Sequence, residues 1–295
     1  MKIYINTPSN YLAGGVESLF QLGSTINNNG GTALLFDSIH GHNIIPKKYS
    51  HYNVKFTNII EDSHENWVIY PEVWTEKIDT FTKTKNAIWW LSVDNNHNKF
   101  NRFKDSNIIH FYQSYYALNH LQKKDVYYYL PLFDFIQNEY IDTNYNIYDK
   151  KNIVCYNPAK GKHITDKIMF LNPDITFIPI INMNEYQVIE TLKSSKMYID
   201  FGSHCGRDRI PREACALGNC VITNKNGSAR FFNDVCINEE YKFEDTNIDL
   251  VGKKIRNIFD NFEKHFNNFS LYRNIIKNQK EEHNVLIKQY FIKQR

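Results

Sequence analysis

Three arginines, Arg207, Arg209 and Arg212, fall within six residues, and Glu213 follows directly. Guanidinium forks grip phosphate oxygens two at a time, so a cluster of them suits a diphosphate. The same arginines could instead pair with Asp200, Asp208 or Glu213 and hold a loop. For any single arginine both readings stand. Further on, Asn226-Gly227-Ser228-Ala229 supplies small residues and backbone N–H groups of the kind that form anion-binding turns.

These groups need a scaffold that brings them together. Residues 197–201 and 220–223 are short apolar runs that read as buried strands, with a short helix over 211–217 between them. Pro211 suits the first helical position, where its missing N–H costs nothing, and Gly218 suits the position just past the end. The arginines then lie between the end of a strand and the start of a helix, the crevice in which open α/β sheets bind ligands. Glu213 falls in the expected first turn, where capping of backbone N–H groups is an alternative to ligand contact.

The rest of the chain repeats this alternation. Residues 2–6 form an expected strand, Gly14 and Gly15 a loop, and Val16, Leu19, Phe20 and Ile26 one face of a helix. Gly30 and Gly31 stop that helix before a strand at 32–36. Further strands are expected at 67–70, 87–91, 108–112 and 126–130. The polar stretch 138–151 marks a boundary, so the expected domains are residues 1–145 and 146–295. A second series follows, with strands at 152–156 and 176–180 and a helix at 184–194. Short apolar strands alternating with helices indicate an α/β fold with parallel sheets covered on both faces.

Composition excludes several classes. The chain has 295 residues, 42% hydrophobic and 15% aromatic, enough to build two cores rather than a disordered chain. A formal net charge of +3 is too small to argue for nucleic acid, although the stretch from Leu250 onward is basic. That stretch reads as a solvated helix face, or as a surface toward anionic lipid or a polyanionic acceptor. No leader-like or membrane-spanning apolar run is present, which points to a cytoplasmic location. Five cysteines without C-x-x-C spacing read as reduced thiols. His204 beside Cys205 lacks the second pair that a zinc site needs, so no metal is expected.

Residues 198–229 resemble the donor-site region of family 4-type (glycosyl transferases group 1) enzymes of the GT-B fold. In that fold two Rossmann-like domains face each other across a cleft. The resemblance implies that Glu213, in PREACALG, binds the ribose of a nucleotide. Asn157-Pro158-Ala159-Lys160-Gly161 resembles the family's Lys-Gly turn, which makes Lys160 a diphosphate ligand. NYLAGGVE, at residues 10–17, is similar to the glycine-rich acceptor-side loop and brings in Gly14 and Gly15. The family's E-x7-E pattern places its first Glu at position 205, where this chain has Cys205, so that role passes to no residue. The chain is also short for the fold, implying trimmed loops or a reduced second domain.

The resemblance implies transfer of a hexosyl or pentosyl group from a nucleotide diphosphate sugar, with a UDP-sugar favoured. Transfer is to an acceptor hydroxyl, with retention and without a cofactor or metal. Lys160, Arg209 and Arg207 would stabilise the leaving diphosphate. Arg212, Gly227, Ser228 and Ala229 complete the expected donor contacts. Asp94, in WWLSVDNNHN, is the acid or base candidate on the acceptor side, with His97 and Glu72 behind it; for each, a loop-capping or solvated role is the plainer reading. The acceptor is expected to be a glycan, a lipid-linked saccharide or a surface polymer. Two alternatives remain at this level: a DNA-modifying glycosyltransferase acting on a hydroxylated base, and a non-catalytic nucleotide-sugar or glycan-binding module. A nucleotide-sugar epimerase has less support.

Overall fold

The computed structural model of the chain describes residues 1–97, 100–141 and 144–292. They form two compact units, one of residues 1–135 with 279–295, the other of residues 136–278.

The first unit is built on β1 (Ile3–Asn6), α1 (Gly14–Asn28), β2 (Ala33–Phe36), β3 (Trp67–Pro71), β4 (Lys85–Trp90), β5 (Ile108–Tyr112), α2 (Tyr115–Lys123) and β6 (Tyr129–Pro131). Its sheet runs β2-β1-β3-β4-β5-β6, parallel throughout. Every residue of β1 and β3 is buried, as expected of strands covered on both faces. In register, Ile5 sits beside Leu35 on one side and Ile69 on the other. The loop from β1 to α1 is tied by Asp37, whose carboxylate accepts from the Ser9 N–H and hydroxyl and from the N–H groups of Ile39 and His40. Burial works against the Asp37 charge, but these donors outweigh it and hold its pKa at about 2.

The second unit contains α3 (Asn138–Ile141), β7 (Lys151–Tyr156), α4 (Lys162–Leu171), β8 (Thr176–Pro179), α5 (Glu185–Ser194), β9 (Ser195–Asp200), α6 (Arg209–Ala216), β10 (Cys220–Asn224), β11 (Lys242–Phe243), α7 (Asp249–Asp260) and α8 (Phe262–Asn268). Its sheet, also parallel, has the order β11-β10-β9-β7-β8. Val221 and Ile222 on β10 are fully buried, each stabilising the core by about 2 kcal/mol. The final helix, α9 (Ser270–Phe291), begins in this unit, and from Gln279 onward its residues group with the first. There Ile287 and Phe291 are buried in the same core as Trp67 and Phe111.

One local expectation needs correcting. The helix carrying the arginines begins at Arg209, with Asp208 in the N-cap position, so Pro211 is its third residue. Proline fits there because the N–H groups of a first turn have no helical partner to lose. Glu213 consequently lies beyond the first turn, which removes the capping role suggested for it. The polar stretch 138–151, read as a boundary, also carries a buried side chain. Lys150 is buried and donates to the carbonyls of Leu192, Lys193 and Ser195, each at 3.0 Å, closing the C-terminal end of α5.

Candidate functional site

The candidate site is assembled where three neighbouring strands of the second unit end. β9 lies between β7 and β10, so the turns that follow these strands meet at one edge of the sheet. After β7 comes Asn157, whose side chain accepts from the Ala159 N–H at 2.9 Å and sets the Lys160-Gly161 turn. Gly161 has φ +58, and a Cβ there would fall 2.1 Å from the Phe201 carbonyl oxygen. The lysine turn is thus pressed against the backbone leaving β9. After β10 the chain does the same. Gly227, with φ +49, passes so close to the 203–204 segment that a Cβ would meet the His204 oxygen at 2.1 Å. The Ser228 N–H donates to His204 O at 2.8 Å, and the Ser228 hydroxyl donates to Gly206 O at 2.6 Å.

Between these two supports runs the loop 201–208. His204 sits at its centre, fully buried and with φ +50, a backbone region that non-glycine residues seldom occupy. Its Nδ1 lies 3.0 Å from Asp208 Oδ2, off the line of a regular hydrogen bond, so the contact is electrostatic first. On the other side its Nε2 lies 3.6 Å from Asp200 Oδ1 and 3.3 Å from the Asp200 carbonyl oxygen. Asp208 also pairs with the Lys160 ammonium, and Asp200 accepts from the Tyr198 hydroxyl at 3.1 Å and the Gly202 N–H at 3.0 Å. The result is a chain of groups from Tyr198 through Asp200, His204 and Asp208 to Lys160.

The electrostatics follow from burial and pairing. For Asp208, burial opposes ionisation, but His204 and Lys160 hold its pKa at about 2. Burial also pushes the His204 ring down, yet the two carboxylates outweigh it and leave the imidazole above its ordinary value. Lys160 is raised in the same way, by Asp208 against burial. For Asp200, burial raises the pKa and His204 only partly offsets it. One ligand atom from each of Asp200, His204 and Asp208 falls within 4.8 Å of the others, the donor set a divalent cation would use. The Lys160 ammonium and the His204 ring already neutralise these carboxylates, so the cluster fits a network of ion pairs better than a cation site.

The arginines divide by exposure. Arg212 is fully buried, donating from its guanidinium to the Asp208 and Arg207 carbonyls. Arg207 and Glu213 are buried near the surface, at 8% exposure each, and Arg209 at the start of α6 is half-buried. Ser228 and Ala229 are fully buried, the former spent on the loop contacts above. The structure thus brings Lys160, the arginine loop and the 226–229 turn together in one unit. Asp200, His204 and Asp208 were absent from the expected ligand set; their even spacing, D-x3-H-x3-D, was the signal available.

The remaining candidates lie in the first unit. Gly14 and Gly15 open α1, just beyond the loop held by Asp37. Asp94 is exposed and accepts from the Tyr116 hydroxyl at 2.8 Å. Glu72 is buried, accepting from the N–H groups of Leu91 and Ser92 at 3.0 and 3.1 Å, and burial raises its pKa to about 7. It supports the turn that carries Asp94. His97 is exposed.

Comparison with known proteins gives the frame for this geometry. No protein-family model and no curated protein matches the sequence. Solved structures do match. HepE from Anabaena, in complex with UDP, superposes with a TM-score of 0.69 at 13% identity, covering 98% of this chain and 99% of that one. A glycosyltransferase from Rickettsia africae gives 0.65 at 14%, covering 98% of both chains. Sucrose-phosphate synthase from Thermosynechococcus elongatus gives 0.68 at 10%, covering 98% of this chain and 97% of that one. The chain has the GT-B fold. HepE is matched almost end to end, so the brevity of this chain is shared with that neighbour. Among the described residues, no helix is long and apolar enough to cross a membrane.

Proposed function

We propose that this protein is a glycosyltransferase that moves a sugar from a UDP-sugar to an acceptor hydroxyl. The observation that carries the reading is the convergence of Lys160, the Arg207–Arg212 loop and the start of α6 at one sheet edge. It occurs in a fold whose matched neighbour HepE was solved with UDP and with UDP-glucose. In this proposal residues 136–278 supply the donor side and residues 1–135, with the chain from Gln279 onward, the acceptor side.

Catalysis is then chiefly electrostatic. The bond from the anomeric carbon to the diphosphate breaks with both electrons going to the phosphate oxygen. A new bond forms from the acceptor oxygen, whose proton passes to a base. Lys160 and Arg209 hold the charge that develops on the leaving group, a contribution on the order of 10²-fold for each preorganised donor. Arg207 adds to this field, and Arg212 fixes the loop by its bonds to two of its carbonyls. Glu213 binds the ribose, and the 226–229 turn supports the diphosphate. Gly14 and Gly15 line the acceptor side, where Asp94 serves as the acid or base. We further propose retention, independence of metal, transfer of a hexosyl or pentosyl group, a glycan or polymeric acceptor, and action in the cytoplasm.

Calorimetric titration with UDP, GDP, dTDP and CMP, each with and without EDTA, tests the reading. Saturable binding of UDP that survives EDTA and is lost in Arg209→Ala supports it. A folded protein that binds none of the four nucleotides overturns it. Cys205 at the position of the family's first Glu favours one second reading, a nucleotide-sugar-binding module without turnover. Consumption of the donor in the presence of acceptor mixtures separates the two.

A further inference from the structure

We propose that His204 is the positioning residue of this donor site, held as an imidazolium between Asp200 and Asp208 so that Asp208 holds the Lys160 ammonium less tightly than it would alone. The inference rests on the donor-site reading above and deepens it.

A neutral imidazole donates from one ring nitrogen only, and its other nitrogen is an acceptor. Here both nitrogens face oxygens: a carboxylate at 3.0 Å from Nδ1, and a carbonyl at 3.3 Å and a second carboxylate at 3.6 Å from Nε2. Whichever tautomer is chosen, a neutral ring would set one lone pair against acceptor oxygen in a fully buried place. The doubly protonated ring sets a positive N–H toward each side.

The ring is fully buried on a backbone that is itself fixed. Its backbone is held in the left-handed region, and its carbonyl is pinned by the Ser228 N–H beneath Gly227. Around it stand Asp200 at the end of β9, Asp208 before α6, Lys160 beyond Asp208, and the Tyr198 phenol bonded to Asp200. Cys205 is next in the loop, and the 226–229 turn contributes the Ser228 hydroxyl, engaged with Gly206. With His204 charged, two carboxylates face two cations. With His204 neutral, Asp208 depends on Lys160, and a diphosphate must compete for that ammonium against a stronger hold.

The sign of the pH effect follows. A ring whose pKa is raised by carboxylates is charged below that value and loses its charge above it. UDP affinity should therefore be full below that value and fall as the pH rises through the ring's titration. Near that pH, binding should take up protons, read as a dependence of the calorimetric enthalpy on the buffer's ionisation enthalpy.

The test is UDP titration of the wild-type protein, His204→Gln and His204→Gln/Asp208→Asn across this range. The single variant should bind UDP about tenfold more weakly than the wild type on the low-pH side of the wild-type fall, the scale of one weakened charge contact, and lose the fall at higher pH. The double variant should recover affinity, because the carboxylate that His204 neutralised is gone. Wild-type affinity and pH profile in His204→Gln, or no recovery in the double variant, overturns the positioning role while leaving the donor site standing. If the single variant does not fold, the wild-type profile decides, and a flat profile without proton uptake overturns the role. A wild-type protein that binds no nucleoside diphosphate brings down the donor-site reading and this inference with it.

Discussion

Replacement of Gly227 by alanine tests whether the donor loop is held by backbone contact. An L-residue at φ +49 carries a steric cost of roughly 1–2 kcal/mol. The new methyl would stand 2.1 Å from the His204 oxygen and 2.4 Å from the Ser203 oxygen, and both are backbone atoms that cannot swing aside. Ordinary C···O contacts begin near about 3.3 Å, so the turn and the loop must part by roughly 1 Å. That strains the Ser228 bonds to His204 and Gly206, each contributing about 1 kcal/mol. The total is about 3–4 kcal/mol, which lowers the unfolding midpoint by roughly 10 °C. A displacement of about 1 Å at the site should cost UDP binding and turnover on the order of 10². Gly30→Ala is the matched control: its φ is +80, but nothing lies within 4 Å of its Cβ position. It should lose only the strain cost, about 1 kcal/mol, and bind UDP as the wild type does. Differential scanning calorimetry and UDP titration of both variants decide the matter. If Gly227→Ala melts with Gly30→Ala and keeps its affinity, the reasoning about this contact is wrong.

Three further outcomes are expected. Lys160→Ala and Arg209→Ala should each lower turnover about 10²-fold while the protein remains folded, and near wild-type rates in both would remove them from the charge-stabilising role. Glu213→Gln should weaken UDP binding several-fold with little change in unfolding midpoint; a large loss of stability with unchanged affinity would make Glu213 a structural residue. Asp37, with its pKa held at about 2, contributes stability that is present above its unfolded value and lost as the pH falls toward 2. The contribution is about 2 kcal/mol, and Asp37→Asn should remove it at neutral pH and flatten the acid limb of the stability profile.

The sheets were legible because parallel strands buried on both faces are written as short apolar runs, and those of β1, β3, β9 and β10 survive without competing signals. The start of α6 was misread because proline is a strong but not exclusive mark of a first helical residue, and here it stands two positions further in. α4 left little trace, since its opening Lys162-His163 and single-turn apolar spacing resemble a loop; what starts it is Gly161 in the left-handed conformation. The anion-binding residues could be read from their types. The residues that hold them showed only as an even D-x3-H-x3-D spacing, because Asp200, His204 and Asp208 meet only when the 201–208 loop folds back between two glycine turns. Lys150 was hidden for a similar reason. A lysine in a polar stretch reads as surface until the carbonyls of α5 are seen around its ammonium.

The route of α9 bears on how the chain is made. Residues 136–278 are contiguous, so that unit has all its parts once its own segment has left the ribosome. The unit begun earlier does not, because Phe291 packs edge-on to Trp67 at 5.4 Å and beside Phe111 at 5.9 Å, and both partners are synthesised long before it. Vectorial synthesis therefore completes the later unit first and leaves the earlier sheet with an open apolar seam until the last helical turns arrive. A nascent chain halted before Ile287 should be a chaperone client, whereas joining 279–292 ahead of residue 1 would turn a late, distant closure into a local one.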